Sequence, residues 1–179
     1  KQKESKMLEN CEKLNNQAIE LAMKGEYKEA IACFIRAISL ENQNHTLWYN
    51  LGLTYRDSGD LGAACSAIEK ALEIEPEDEE IIETLSSLYI SMGKPNDALY
   101  YCVLGLDMNP YNSHFWNNLG VVYFNQKDYG NAEEAFEHAI TINPYYYDAL
   151  YNLRDTYEEL GNQLGARECA ARMKGVQGR

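Results

Sequence analysis

No stretch of about 18 consecutive apolar residues occurs in the 179-residue sequence, which excludes a membrane-spanning helix. Positive charge is scarce as well: 16 Lys and Arg stand against 28 Asp and Glu, for a net charge of −12. Phosphate backbones and anionic membrane surfaces repel such a chain, so neither nucleic acid nor direct membrane binding is expected, whereas a basic or neutral polypeptide suits it. Cys11, Cys33, Cys65, Cys102 and Cys169 include no CxxC pair, so neither a zinc site nor a redox motif is indicated. The histidines, His45, His114 and His138, lack a metal-ligand spacing such as HExxH. Gly59-Asp60-Leu61-Gly62 has neither the lysine nor the preceding strand of a phosphate loop. No catalytic set, cofactor or metal ion is therefore expected, and the chain reads as a non-enzyme. Period-two alternation over a strand length is also missing, which argues against β structure.

What remains is an apolar content of 45% and a charged content of 25%, the balance of a soluble globular chain. Four of the cysteines fall among apolar neighbours in predicted helices, where a free thiol acts as a small hydrophobe. That usage points to a reducing compartment, the cytoplasm. The chain opens Lys1-Gln2-Lys3 rather than with Met, which leaves a removed leader or anchor open.

The organising feature is a fixed period. Trp116-Asn117-Asn118-Leu119-Gly120-Val121-Val122-Tyr123 returns 68 residues upstream as Trp48-Tyr49-Asn50-Leu51-Gly52-Leu53-Thr54-Tyr55. It returns more loosely 34 residues downstream, as Leu150-Tyr151-Asn152-Leu153-Arg154-Asp155-Thr156-Tyr157. Pro76, Pro110 and Pro144 keep the same 34-residue beat. A period in this range marks a repeat architecture. Laid back from Pro76, the frame gives repeats 11–44, 45–78, 79–112, 113–146 and 147–179, after a polar extension at 1–10 read as fraying from the first helix. Each repeat splits into two helices at a turn marked by Gly25, Gly59, Gly93, Lys127 or Gly161. The prolines end the second helices. Trp48, Leu51, Gly52 and Tyr55 share one helical face, as do Trp116, Leu119, Gly120 and Tyr123. Ala30, Ala64, Ala98, Ala132 and Ala166 supply small residues at one position of the second helices, with Phe34, Ile68 and Phe136 as the bulk beside them.

The order Trp, Leu, Gly, Tyr, then Ala, Phe, Ala and Pro resembles the tetratricopeptide repeat (TPR) over nearly the whole chain. The resemblance implies an all-α, right-handed superhelical solenoid of helix-turn-helix repeats whose first helices line a concave groove. It also implies a scaffold that binds a protein or extended peptide there. The sixth position of the repeats reads Asn16, Asn50, Thr84, Asn118, Asn152. Asparagine is a poor helix former, and its amide offers both the donor and the acceptor that an extended peptide backbone needs. The row is similar to the asparagine ladder in the repeat region of O-GlcNAc transferase, which grips peptide main chain; Thr84 interrupts it, and nothing resembles the catalytic region. A row bonded to neighbouring helices is the other reading of the same residues. Tyr49, Asn117, Tyr151, Leu53, Val121 and Phe124 surround it, with Glu12, Glu80, Glu83, Asp148, Asp155, Glu158 and Glu159 nearby. This lining suits a ligand with apolar and basic side chains. Cochaperone members of the family clamp a carboxylate with Lys and Arg here; Glu80, Thr84, His114 and Asn118 at the corresponding places argue against that mode. Two alternatives accompany this reading: homo-oligomeric stacking through the terminal repeats, and service as the recognition arm of a larger enzyme.

The frame makes a packing prediction. Replacing Ala132 with Leu overpacks a helix crossing and costs roughly 1–3 kcal/mol, read as a lower urea midpoint with an unchanged slope.

Overall fold

The computed structural model describes residues 10–177, and every regular element among them is an α-helix. Residues 1–9, expected to fray from the first helix, lie outside the described residues. In chain order the helices are α1 (Cys11–Met23), α2 (Tyr27–Leu40), α3 (His45–Asp57), α4 (Leu61–Ile74), α5 (Glu79–Ser91), α6 (Pro95–Met108), α7 (Ser113–Asn125), α8 (Tyr129–Ile142), α9 (Tyr147–Glu159) and α10 (Gln163–Gln177). Odd-numbered helices thus start every 34 residues, and so do even-numbered ones. None is long and apolar enough to cross a membrane.

The turns explain why the helices stop where they do. Gly25 takes φ 78°, and the Glu26 N–H donates to the Leu21 carbonyl at 3.0 Å, closing the left-handed cap that satisfies the last turn of α1. Lys127 holds the corresponding conformation, φ 62°, at the one turn where glycine is missing. Several second helices then open on a side-chain cap: Asp60 accepts from the Ala63 N–H at 3.0 Å, and Asn162 from the Gly165 N–H at 3.0 Å. At the far end of the repeat a tryptophan secures the loop. The Trp48 indole donates to the Asn42 carbonyl at 2.9 Å, and the Trp116 indole to the Pro110 carbonyl at 2.8 Å. These rings are therefore half-buried, packed on the core with the N–H turned to the loop.

The chain divides into two compact units, one ending at Ile81 and the other beginning at Ile82. In the first, Leu14, Ala18, Phe34, Leu47 and Leu51 form the heart of the core. Gly52 lets α3 close on α4: a β-carbon there falls against Ile68 and 3.1 Å from the Ala64 carbonyl oxygen. In the second unit, Phe136, Leu150, Leu153, Cys169 and Met173 pack together. Gly120 plays the part of Gly52, since a β-carbon there lies 2.5–2.8 Å from the Phe136 ring. All five cysteines are free and buried. Burial pushes the Cys102 thiol up to about 12, against a smaller opposing effect of its hydrogen bond with Ser86.

From α3 onward the third residue of the first helices, not singled out by the repeat pattern, is as buried as any: Leu47, Ile81, Phe115 and Ala149 are 0–2% exposed. Where it is phenylalanine, the residue facing it is glycine. Gly105 stands where the neighbouring repeats have Ala37, Ala71 and Ala139, and a β-carbon on it lies only 2.3–2.6 Å from the Phe115 ring. The glycine that looks like a lapse in the third repeat is the space into which Phe115 packs. Gly105→Ala is expected to cost about 1–3 kcal/mol, and Phe115→Leu added to it to recover part of that loss. Urea denaturation of the double-mutant cycle measures the coupling; strictly additive losses contradict it.

Candidate functional site

The first helix of each repeat carries the polar row at its sixth position, and within each unit the asparagines of the row bond to a neighbouring first helix. In the first unit the Asn50 amide on α3 donates to Asn15 Oδ1 on α1 at 3.3 Å. The Tyr49 hydroxyl donates to Glu80 Oε1 at 3.1 Å. Asn16 is exposed, and Leu53 is half-buried.

In the second unit the same amide makes the equivalent reach. Asn118 on α7 donates to Ser86 Oγ at 2.8 Å and to Ser87 Oγ at 3.1 Å, both on α5. Asn152 on α9 donates to Asn117 Oδ1 on α7 at 3.0 Å. Asn117 is only 7% exposed, so it faces Asn152 and Tyr146 rather than solvent. The Tyr146 hydroxyl lies 3.0 Å from His114 Nδ1, and that nitrogen lies 3.3 Å from Glu83 Oε1. A single ring nitrogen serves the phenol as acceptor or the carboxylate as donor, not both. Burial first, then the charges of Asp148 and Glu83, push the Tyr146 phenol up to about 12; the hydrogen bond with Asn117 opposes them.

The remaining predicted residues divide by exposure. Tyr151 is 44% exposed, with the Arg154 guanidinium 4.3 Å from its ring centroid. Arg154 is also paired to Asp155 at 2.6 Å. Val121 and Phe124 are half-buried against the α8–α10 core, Phe124 edge-on to Tyr129 at 5.3 Å. Thr84 is half-buried and has a partner of its own. Asn15, Ser86, Ser87, His114 and Tyr146, which hold the row in place, were not singled out for it from the sequence. The signal was present in one of them: Ser86 replaces the glycine of the eighth position, and its hydroxyl is what Asn118 reaches.

The geometry therefore assigns half of each asparagine amide. Nδ2 of Asn50, Asn118 and Asn152 bonds to the preceding first helix, while among the described residues their Oδ1 atoms accept no hydrogen bond. Asn152→Ala leaves the buried Asn117 oxygen without its donor and is expected to cost about 1 kcal/mol more than Asn16→Ala at the exposed end of the row. Equal losses in urea denaturation contradict that assignment.

Three comparisons place the chain. Family models described as tetratricopeptide repeat match residues 45–78 and 115–146, and one described as TPR repeat matches 20–59. The BBSome complex member bbs-4 of Caenorhabditis elegans is 26% identical over 129 residues, 72% of this chain and 28% of that one. The chain spans only about a quarter of the length of such relatives. Among solved structures, MamA superposes with a TM-score of 0.80 at 20% identity, over 93% of this chain and 91% of that one. YrrB, a TPR protein with an unusual peptide-binding site, superposes at 0.71 with 23% identity, over 94% of this chain and 87% of that one. With ten helices among the described residues paired on a 34-residue beat and three matching repeat models, the chain belongs to the tetratricopeptide repeat family.

Proposed function

We propose that this TPR protein is a non-enzymatic scaffold whose first helices bind an extended peptide segment of a protein partner, residues 11–179 forming the five-repeat recognition domain. The observation that carries the reading is the half-used amide row. Each of Asn50, Asn118 and Asn152 is oriented by its Nδ2 bond and keeps Oδ1 for an incoming backbone N–H. A side chain already fixed by one hydrogen bond loses little freedom when it makes a second, which is what preorganised recognition requires. Backbone donors on an extended ligand recur with a regular rise, so a row of acceptors reads main chain rather than sequence.

Selectivity then rests on the neighbours. Tyr151 offers an exposed ring, and Tyr49, Leu53, Val121 and Phe124 add half-buried apolar surface. Asp148, Glu158 and Glu159 are exposed near the last repeat, with Asp155 beside them. Apolar side chains with Lys or Arg interspersed complement that lining, and the net charge of −12 steers such a ligand inward, an effect that salt weakens. YrrB is a protein of this fold with a peptide-binding site, which supports the use of the architecture for this purpose.

The test is affinity capture from cell extract with the wild type and an Asn50→Ala/Asn118→Ala variant whose circular dichroism is unchanged. Partners retained by the wild type and lost by the variant, with capture weakened by added salt, are the expected result. An identical partner set for both proteins overturns the proposal and leaves the row a purely structural seam between helices.

A further inference from the structure

The outer side of α6 differs from the same side of its counterparts. At three matching positions α4 carries Ser66, Glu69 and Lys70, and α8 carries Glu134, Glu137 and His138. On α2 the set is Ala32, Ile35 and Arg36. On α6 it is Tyr100, Val103 and Leu104, with no charge among them. Tyr100 is 63% exposed and Val103 45%, and with Leu99 and Leu104 they floor a shallow groove along the helix. Forming the helix does not require apolar residues here, because α8 forms the same helix with two carboxylates and an imidazole at these positions.

Two further features turn an apolar strip into a surface with a definite complement. First, Tyr100 is held: its ring sits edge-on to Tyr101 at 5.1 Å, and Tyr101 stacks on Tyr89 at 5.6 Å. An exposed aromatic ring braced in this way is the anchor type that dominates interfaces. Second, the charges of α6 are of one sign and stand at its two ends. Asp97 lies one turn before Tyr100 and Asp107 one turn after Val103; both are exposed, and α6 has no Lys or Arg. Neither carboxylate is ion-paired among the described residues. Ten residues of helix set them roughly 15 Å apart along the axis.

We propose that the outer face of α6 docks an amphipathic helix of another protein, apolar along one side and carrying Lys or Arg near both ends of a three-turn stretch. Side chains three and four apart on α6 form the ridge and groove that a second helix packs into. The bracketing carboxylates select basic ends and set their spacing. A second copy of this chain does not complement the face, since it brings its own Asp97 and Asp107 and a net charge of −12. The surface lies on a second helix, apart from the asparagine row on the first helices, so the two can be lost independently.

The probe is a fluorescein-labelled amphipathic peptide of about four helical turns, with Leu at i, i+3 and i+7 and Lys flanking the stripe about ten residues apart. A twin with Glu in place of both Lys, and a scrambled peptide, serve as comparisons in fluorescence anisotropy. The full chain and Val103→Glu, which installs the α8 residue type at an exposed position, are both titrated, with sedimentation run in parallel. Saturable binding of the Lys peptide is expected, roughly fivefold or more tighter than the Glu twin and weakened at least about tenfold by Val103→Glu. The Asn50→Ala/Asn118→Ala variant is expected to bind this peptide normally. Equal binding of the Lys and Glu peptides, insensitivity to Val103→Glu, or no saturable binding overturns the proposal. So does a wild-type dimer that Val103→Glu converts to monomer, which assigns the face to a second copy instead.

Discussion

Close approach of paired helices is the constraint on which everything else in this protein depends. Gly52 against Ile68, Gly120 against Phe136 and Gly105 against Phe115 are points where even one added carbon has no room. Around them Ala30, Ala64, Ala98, Ala132 and Ala139 are fully buried. A helix pair of 13 or 14 residues each buries too little to stand alone, and stacking of repeats supplies the missing surface. The small residues set how near the helices come, and the large ones opposite them follow. Gly105 and Phe115 show this reciprocity most plainly, because each departs from its neighbours in the direction the other demands.

That close stacking brings successive first helices into hydrogen-bonding reach. Asn118 meets Ser86 and Ser87, and Asn152 meets Asn117, only because their helices lie side by side. The Nδ2 end of each amide makes the seam between helices, and the Oδ1 end, which accepts no hydrogen bond among the described residues, is the part we propose for the grip on a ligand. Asn117 stands beside the row, at the fifth position: it is buried between Asn152 and Tyr146, where its Oδ1 accepts from Asn152.

Most of the architecture is legible in the sequence because the repeat restates it. Turn glycines, prolines and small residues recur at one interval, and each occurrence confirms the physical reason for the last. Less legible are features that depend on pairs from different repeats. The full burial of Leu47 and Phe115 has no periodic cue beyond apolarity, since Ala149 fills the same position. The contact of Tyr146 with His114 joins a residue before α9 to one at the start of α7, and no local pattern announces it. The outer strip of α6 is different again: Tyr100, Val103 and Leu104 are visible in the sequence, but only their exposure distinguishes a surface from a core.

The account rests on the carbonyl oxygens of the asparagine row being acceptors for a ligand backbone. A crystal structure of the chain with its captured segment tests that directly. Backbone N–H groups of the segment within hydrogen-bond distance of Oδ1 of Asn50, Asn118 and Asn152 are the predicted result. A segment bound with those oxygens untouched contradicts it.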